Sequence, residues 1–422
     1  MKSIAIIATL DTKGHEAAYL KSLIEDLRFG TVLLDTGILG PPFPSVPVPD
    51  LSADEIAKAG GEDRAELAMK KSERGARDRG IRAMSRGAAF YLKRLHDEGR
   101  ICGAIGLGGA QGTEICAYAM RALPIGVPKV MVSTVASGVT PFGIYTGTRD
   151  LTIMHSVVDI MGLNSLTRRI LANAAGAIAG MAGMPLPESS GGRLRVGLTL
   201  YGQTTPAGMA LKALLESAGY EVFAFHSNGT GGKAMEELAV EGFIDAIFDL
   251  STHELTDELF GGIHGSDRER LLGGGLKGVP RLVLPGALDI ITLREPETVP
   301  EEYRDQPSVP HNPHITLVRI SPAQSRRLAE VMAERLNCSK GPVTVVIPWG
   351  GFSFYNREGL HFRDLGADRA LVDTLKEGLR SDIPIYEFEE HINDQVLPGK
   401  LFHLFEGLLK PAGNRLGRRR DD

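Results

Sequence analysis

The sequence contains few cysteines, few aromatic residues and no excess of positive charge. The three cysteines, Cys102, Cys116 and Cys338, have spacings that fit neither a metal-binding motif nor a disulfide scaffold. We therefore expect a reducing, cytoplasmic environment. The formal net charge is −5, which gives no general attraction to nucleic acid or to an anionic membrane. Neither is expected as a partner.

Long hydrophobic runs are also missing. The apolar run that opens the chain ends at Asp11, too early for a signal peptide. The longest uncharged stretch, residues 170–186, consists mostly of alanine and glycine. Its composition predicts a packed helix and not a membrane span.

Glycine, in contrast, is abundant. It accounts for 51 of the 422 residues, well above the usual share of ~7%. Each glycine inside a helix or strand costs roughly 0.5–1 kcal/mol relative to alanine. We therefore expect most of them to lie in turns and tight loops.

The pattern along the chain predicts two domains. Residues 184–192 are rich in Pro, Ser and Gly and are typical of a linker. We predict one domain over residues 1–188, a second over 193–410, and a flexible basic tail over 411–422. Short apolar runs alternate with amphipathic helical patterns in both, as in parallel sheets covered by helices. The predicted fold class is α/β, with two Rossmann-like doubly wound parallel-sheet domains and an interdomain cleft.

The first domain has a glycine-rich turn between a strand and a helix. It is formed by Gly108, Gly109, Ala110, Gln111, Gly112 and Thr113. Such a turn presents backbone N–H groups to an anion. No lysine follows Gly112, so this is not a Walker A loop, and the glycine spacing departs from the dinucleotide fingerprint. We interpret it as a cradle for phosphate or carboxylate; alternatively, the glycines only allow the helix to pack closely on the sheet.

Other polar loops follow strands of the same domain. After the first strand, Lys13 could pair with a phosphate, Thr12 could donate its hydroxyl, and Asp11 could hold Mg²⁺ or a ribose hydroxyl. The alternative is a helix cap with an exposed lysine. A further loop contains Thr134, Ser137 and Gly138. Because ligands bind beyond the carboxyl ends of the strands in such sheets, these loops predict one shared pocket.

In the second domain His226, Asp289, Ser353 and His391 all follow apolar strands. They could meet over the sheet as acid and base groups, and we take His226, Asp289 and His391 as the catalytic candidates. Residues 229–232 could form a second anion-binding nest, whereas for each single histidine a structural role is the alternative. No zinc-binding spacing and no G-x-S-x-G motif occurs, so neither a metal site nor a nucleophilic hydrolase is predicted.

Several motifs together resemble a known family. They are the segment Thr9-Leu10-Asp11-Thr12-Lys13, the turn at 108–113, the loop at 133–138, and, in the second domain, Pro285-Gly286-Ala287-Leu288-Asp289 and Pro348-Trp349-Gly350-Gly351. The sequence is similar to an uncharacterised bacterial, fungal and plant family that includes the ATP-binding N-terminal domain of the tomato mosaic virus resistance protein. This resemblance covers nearly the whole chain.

The resemblance implies two Rossmann-like subdomains, a tendency to dimerise, and ATP bound in the first subdomain. Mg²⁺ could accompany the ATP. The residues implied to surround the phosphates are Asp11, Thr12, Lys13, Gly108, Gly109, Ala110, Gly112 and Thr113, with Thr134, Ser137 and Gly138 lining the same pocket. The plant relative also carries a barrel domain that this chain lacks, and a separate protein could supply it as a partner.

Three functions are compatible with these observations. The first is an ATP-using metabolic enzyme that acts on a small phosphorylated or acidic ligand in the interdomain cleft. The second is a nucleotide-dependent regulatory or partner-binding module without catalysis. The third is a lyase, isomerase or transferase of a phosphosugar or small acid that does not use ATP.

Overall fold

The structure is a computed structural model that describes residues 2–69, 75–137, 143–185 and 191–410. The predicted tail at 411–422 and most of the predicted linker lie outside these ranges. The chain divides into two compact units, Met1–Pro187 and Glu188–Asp422. Within the described ranges, no helix has the length and apolar character needed to cross a membrane.

The first unit contains a five-stranded parallel sheet. Its strands are β1 (Ser3–Ala8), β2 (Gly30–Asp35), β3 (Ile101–Gly108), β4 (Lys129–Ser133) and β5 (Thr152–His155). They are arranged in the order β2-β1-β3-β4-β5. The order changes direction between β1 and β3, and a crevice for ligands forms at this position, beyond the carboxyl ends of the strands.

Helices cover both faces of this sheet. They are α1 (Leu10–Asp26), α2 (Ala53–Ala59), α3 (Arg64–Met69), α4 (Ala76–Asp97), α5 (Ala110–Met120), α6 (Gly143–Thr146) and α7 (Ser165–Gly183). Successive side chains of β1 point to opposite faces. Ile4 and Ile6 pack in one buried cluster with apolar residues of α1 and α7. Ala5 and Ile7 pack in another with residues of α4 and α5.

The second unit contains a larger sheet and a smaller one. Its strands are β6 (Arg195–Leu200), β7 (Glu221–His226), β8 (Ala246–Ser251), β9 (Arg281–Gly286), β10 (Ile290–Leu293), β11 (Ser308–Asn312), β12 (Ile315–Arg319), β13 (Val343–Pro348) and β14 (Ile385–Phe388). Six of them form a parallel sheet in the order β14-β13-β9-β8-β6-β7. The predicted fold class of two parallel-sheet α/β domains is therefore confirmed.

The helices of the second unit are α8 (Thr205–Ser217), α9 (Gly231–Val240), α10 (Glu254–Phe260), α11 (Gly273–Leu276), α12 (Pro322–Asn337), α13 (Leu365–Gly378) and α14 (Leu397–Leu409). Short 3₁₀ helices lie at Gly202–Thr204, Pro296–Thr298 and Glu301–Tyr303. The helix α12 begins with a capping box, in which the Ser321 side chain accepts from the backbone of Gln324 and the Gln324 side chain accepts in return.

One apolar run of this unit departs from the prediction that the apolar runs form parallel sheets. The run at 315–320 contains β12, which lies in a three-stranded antiparallel sheet of order β10-β12-β11. Only Pro313 and His314 separate β11 from β12. A connection this short joins antiparallel strands, whereas parallel neighbours need a crossover of a dozen residues or more.

Candidate functional site

A cavity of about 660 Å³ lies at the carboxyl ends of β1 and β3 in the first unit. Its polar lining residues are Thr9, Asp11, Thr12, Lys13, Arg77, Gln111 and Asp159, and the turn residues Gly109, Ala110 and Gly112 also line it. Its apolar lining residues are Ile38, Leu39, Leu67, Ala76 and Ile115. The structure therefore brings two of the predicted loops together in one pocket, and gives that pocket a polar part and an apolar part.

Two glycines of the turn before α5 have different roles at this pocket. A Cβ on Gly108 would lie 2.7 Å from the Cα of Gly112, so the turn itself requires glycine at 108. A Cβ on Gly109 would meet only the hydroxyl of Thr134, at 3.6 Å. No side chain of the described residues caps the helix at Gly109, and its first turn has no acidic residue. The first N–H groups of α5 are thus open to an anion at the cavity.

The residues predicted as a loop after β1 instead begin the helix α1, and they contact distant segments of the unit. Asp11 accepts hydrogen bonds from the backbone N–H groups of Leu39, at 2.8 Å, and Gly40, at 3.2 Å. The ammonium of Lys13 donates to the carbonyl of Ile160. Asp11 therefore holds the segment after β2 in place, while Lys13 lies at the cavity with a carbonyl partner that an anion could replace.

The other predicted residues of this unit lie in different surroundings. The Thr113 side chain is fully buried, and its hydroxyl lies 2.7 Å from that of Ser133, which ties α5 to β4. Thr134 is half-buried beside Gly109, and Ser137 is exposed. Gly138 lies outside the described residues. Thr113 thus contributes to packing and does not line the cavity.

Sequence reasoning missed Arg77 and Asp159, both of which line the cavity with exposed side chains. Asp159 follows β5, so the rule that polar residues after a strand mark a site could have found it. Arg77 lies in the first turn of α4, and no local signal marks it. The apolar wall likewise depends on long-range packing.

In the second unit, two catalytic candidates form hydrogen bonds that do not fit a catalytic triad. The hydroxyl of Ser353 donates to Asp289, at 2.7 Å, and not to His391. The Nδ1 atom of His391 accepts from the backbone of Asn393, at 3.0 Å, so its Nε2 donates to the Ser353 carbonyl, at 2.9 Å. Both ring nitrogens are therefore used in structural hydrogen bonds.

The burial of His391 and Asp289 supports a structural role for both side chains. It lowers the pKa of His391, which favours the neutral ring. It also raises the pKa of Asp289, although Arg319 opposes the shift. The third candidate, His226, is exposed and lies edge-on to the Tyr201 ring, with 5.6 Å between ring centroids. Among the described residues no hydrogen bond joins His226 to either of the other two.

The second glycine nest is already filled. One oxygen of Glu254 accepts from the backbone N–H groups of Gly229, at 2.9 Å, and Gly232, at 3.0 Å. A Cβ on Gly232 would lie 1.9 Å from the other oxygen of Glu254. The expected nest for an external anion therefore binds a carboxylate of the chain itself.

A cluster that the sequence analysis missed lies near the start of α10. His253 and Asp257 are fully buried and His264 is half-buried. Burial lowers the pKa of His253, but Asp257, the Ala287 carbonyl and Glu254 together raise it, so the pKa lies above its usual value. For His264, burial and the neighbouring His253 lower the pKa. The spacing of four residues between His253 and Asp257 was a visible signal, since it places both on one helix face.

Known proteins are similar to this chain along most of its length. Profiles of the N-terminal and C-terminal domains of an uncharacterised protein family (UPF0261) match residues 2–187 and 193–409. A UPF0261 protein of Clostridium tetani is 40% identical over 410 residues, which cover 96% of this chain and 99% of that protein. A UPF0261 protein of Mesorhizobium japonicum is 38% identical over 398 residues, covering 93% and 96%.

The ToMV resistance protein Tm-1 of Solanum lycopersicum is 36% identical over 334 residues, covering 77% of this chain and 44% of that protein. This chain therefore matches less than half of the tomato protein. Among solved structures, UDP-N-acetylglucosamine 2-epimerase from Rickettsia bellii aligns with a TM-score of 0.24 and 10% identity, covering 67% of this chain and 78% of that one. A likeness this weak carries no information about function.

Proposed function

The chain belongs to the uncharacterised protein family UPF0261, and on that premise we propose that its first unit binds ATP in the cavity beside α5. The observation that carries the proposal is the composition of the cavity. Open helix N–H groups and a lysine lie in its polar part, and aliphatic side chains form the rest. A nucleotide has the same two parts, a polyanionic chain and a flat, largely apolar base.

The phosphates would lie at the glycine turn. The N-terminus of α5 carries a partial positive charge, and its first N–H groups point toward an anion there. Lys13 and Arg77 add two positive charges to the lining. Because Gly109 has no side chain and needs none for packing, a phosphate could approach the backbone closely at this point.

The base would lie against the aliphatic side. Ile38, Leu39 and Ile115 supply apolar surface in the same cavity. The volume of about 660 Å³ falls within the range of roughly 300–1,000 Å³ that is typical of small-molecule sites. Mg²⁺ would arrive with the phosphates, and Asp159 offers an exposed carboxylate for it, since the contacts of Asp11 hold the chain.

Calorimetric titration of the full-length protein tests this proposal. The ligands are ATP with and without Mg²⁺, inorganic triphosphate and adenosine, measured on the wild type and on Gly109→Val. Extended backbone at Gly109, with φ −79° and ψ −159°, accepts valine, so the variant folds while its side chain fills the approach to α5. A matched control is Gly176→Ala on an exposed position of α7.

We expect ATP to bind the wild type and the control equally, and to bind Gly109→Val at least tenfold more weakly. Loss of one charge-assisted hydrogen bond of about 1.5–3 kcal/mol corresponds to a tenfold or greater change. Lys13→Gln should weaken triphosphate more than adenosine. ATP that fails to bind the wild type, or binds Gly109→Val unchanged, refutes the proposal. Tight binding of triphosphate with no gain for ATP would assign the site to phosphate alone.

A further inference from the structure

Three side chains near the start of α10 present metal-binding atoms to one another. One donor atom from each of His253, Asp257 and His264 lies within 4.8 Å of the other two. The Nε2 atom of His253 and an oxygen of Asp257 are only 3.4 Å apart. His253 comes directly before α10 and Asp257 lies one turn later, so both project from the same side of the helix. His264 follows in the next loop.

The hydrogen bonds around these groups orient them. The Nδ1 atom of His253 lies 3.1 Å from the carbonyl oxygen of Ala287. A proton on Nδ1 is needed for that bond, so the lone pair of the neutral ring lies on Nε2. This atom is 3.4 Å from an oxygen of Asp257 and 3.0 Å from the hydroxyl of Thr292, so a metal at Nε2 would displace the hydrogen bond from Thr292. A carbonyl partner of this kind on the far ring nitrogen is the usual arrangement of a histidine that binds a metal.

The carboxylate is held in the same way. One oxygen of Asp257 accepts from the backbone of Thr292, at 2.8 Å, and the other accepts from the backbone of His264, at 3.0 Å. Each oxygen keeps a second lone pair. Backbone bonds therefore fix the direction of Asp257 and leave electron pairs for another partner.

From this arrangement we propose that the second unit binds a divalent transition-metal ion of the Zn²⁺ type through His253, Asp257 and His264. Two imidazoles and one carboxylate favour zinc and its neighbours, whereas Mg²⁺ and Ca²⁺ prefer oxygen ligands alone. At metal–ligand distances of ~2.0–2.2 Å, donor atoms lie roughly 3–3.6 Å apart. His253 and Asp257 are already that close. The donor nitrogen of the half-buried His264 lies within 4.8 Å of both, so a bound metal would have to draw this ring closer.

Three protein ligands leave a fourth position for water or a substrate oxygen, as in catalytic zinc sites. The hydroxyl of Tyr201 lies beside it, 3.2 Å from His264 Nδ1 and 3.0 Å from the hydroxyl of Thr292. The Tyr201 ring also stacks on His253, with 4.2 Å between centroids. Tyr201 therefore fixes one ligand and offers a hydrogen-bond partner to whatever occupies the open position.

A buried histidine–aspartate pair without a metal is the competing explanation, because a proton can take the same Nε2 lone pair. The two explanations differ in their response to metal. Untagged full-length protein, stripped with a chelator, would be titrated with Zn²⁺ against a chromophoric competitor. Co²⁺ would be added separately, since its visible spectrum reports the coordination geometry. The variant is His264→Gln, and the control is His314→Gln, whose side chain is 80% exposed.

We expect the wild type and His314→Gln to bind one Zn²⁺ per chain and to unfold at a higher temperature when it is present. His264→Gln should bind at least tenfold more weakly and lose the thermal shift. Circular dichroism establishes that each variant is folded, and His253→Gln gives an independent test if it folds. Failure of the wild type to bind any of Zn²⁺, Co²⁺, Mn²⁺ or Fe²⁺ stoichiometrically overturns the proposal. Equal binding by His264→Gln overturns it as well.

Discussion

Replacing Arg270 by methionine tests how the second unit tolerates buried charge. The guanidinium is fully buried and donates to Glu254 at 2.7 Å, and to the two oxygens of Asp249 at 2.7 and 2.6 Å. It also lies 3.4 Å from Glu236. Methionine retains most of the apolar stem of arginine but none of its donors.

The expected loss of stability follows from the charges that remain buried in the Arg270→Met variant. Three buried carboxylates, those of Glu236, Asp249 and Glu254, would be left with Arg281 as the cation that contacts the group. Their total charge would change from −1 to −2. Removing one partner of a buried ion pair typically costs about 3–5 kcal/mol. For a unit of this size, we expect the midpoint of thermal unfolding to fall by roughly 6–20 °C.

Tryptophan fluorescence can follow this unit selectively. The sequence has one tryptophan, Trp349, which lies in the second unit. Urea unfolding monitored at Trp349 therefore gives the stability of that unit. The control is Arg327→Met, which breaks an exposed pair with Glu330 at 3.0 Å. Exposed pairs of this kind contribute about 0–1 kcal/mol.

The pH dependence provides a second check. Burial raises the pKa of Asp249, but Arg270, Arg281 and Thr199 together lower it, so the net shift in the wild type is downward. Without Arg270, burial dominates and the folded state takes up protons that the unfolded state does not. The stability of the variant then increases as pH falls, and its deficit should be smaller near pH 5 than near pH 7. A loss below about 1 kcal/mol, or a deficit independent of pH, refutes this account of the cluster.

Two further predictions concern single groups. Burial, more than any other cause, raises the pKa of Asp368 to about 6, so its stabilising contribution is present below the unfolded pKa and lost as pH rises through about 6. The free energy of unfolding, measured with urea, should therefore fall by up to about 3 kcal/mol as pH rises from below the unfolded pKa to above 6. This fall should be absent in Asp368→Asn, and an identical pH dependence in both proteins would contradict the raised pKa. Burial also raises the pKa of the Cys116 thiol to about 12, whereas Cys338 is exposed. In the native protein a thiol reagent should therefore react with Cys338 and spare Cys116 until the chain is unfolded, and rapid modification of Cys116 would contradict this.

The parallel sheets could be predicted because their strands are buried on both faces and read as continuous apolar runs. The run at residues 102–107 corresponds to β3, and that at 246–250 corresponds to β8. Local sequence also marks the turn before α5, where Gly108 permits a close approach of the backbone to Gly112. Information of this kind lies within a few residues of the feature that it predicts.

Contacts between distant segments could not be predicted in the same way. Asp11 bonds to residues 28 and 29 positions away, so its carboxylate holds the chain where the sequence suggested a cation or ribose ligand. The strand β10 has only four residues, and Val309 is the one aliphatic residue of β11, so neither strand stands out alone. Both form against β12. His391 likewise appears as a catalytic base until its two backbone partners are known.

Partners that are distant in the sequence also determine whether a glycine turn is open to a ligand, as a comparison of two turns shows. Both follow a parallel strand and begin a helix, α5 in one unit and α9 in the other. At α9, a carboxylate from α10, Glu254, bonds to the turn and is itself held by Arg270. At α5, no described side chain caps the turn, and a cavity with Lys13 lies beside it. The same local structure is satisfied internally in one unit, whereas the open turn in the other leaves its N–H groups to water or to the ligand that we propose. The contrast therefore favours an anionic ligand at Gly109 more strongly than the glycine pattern alone.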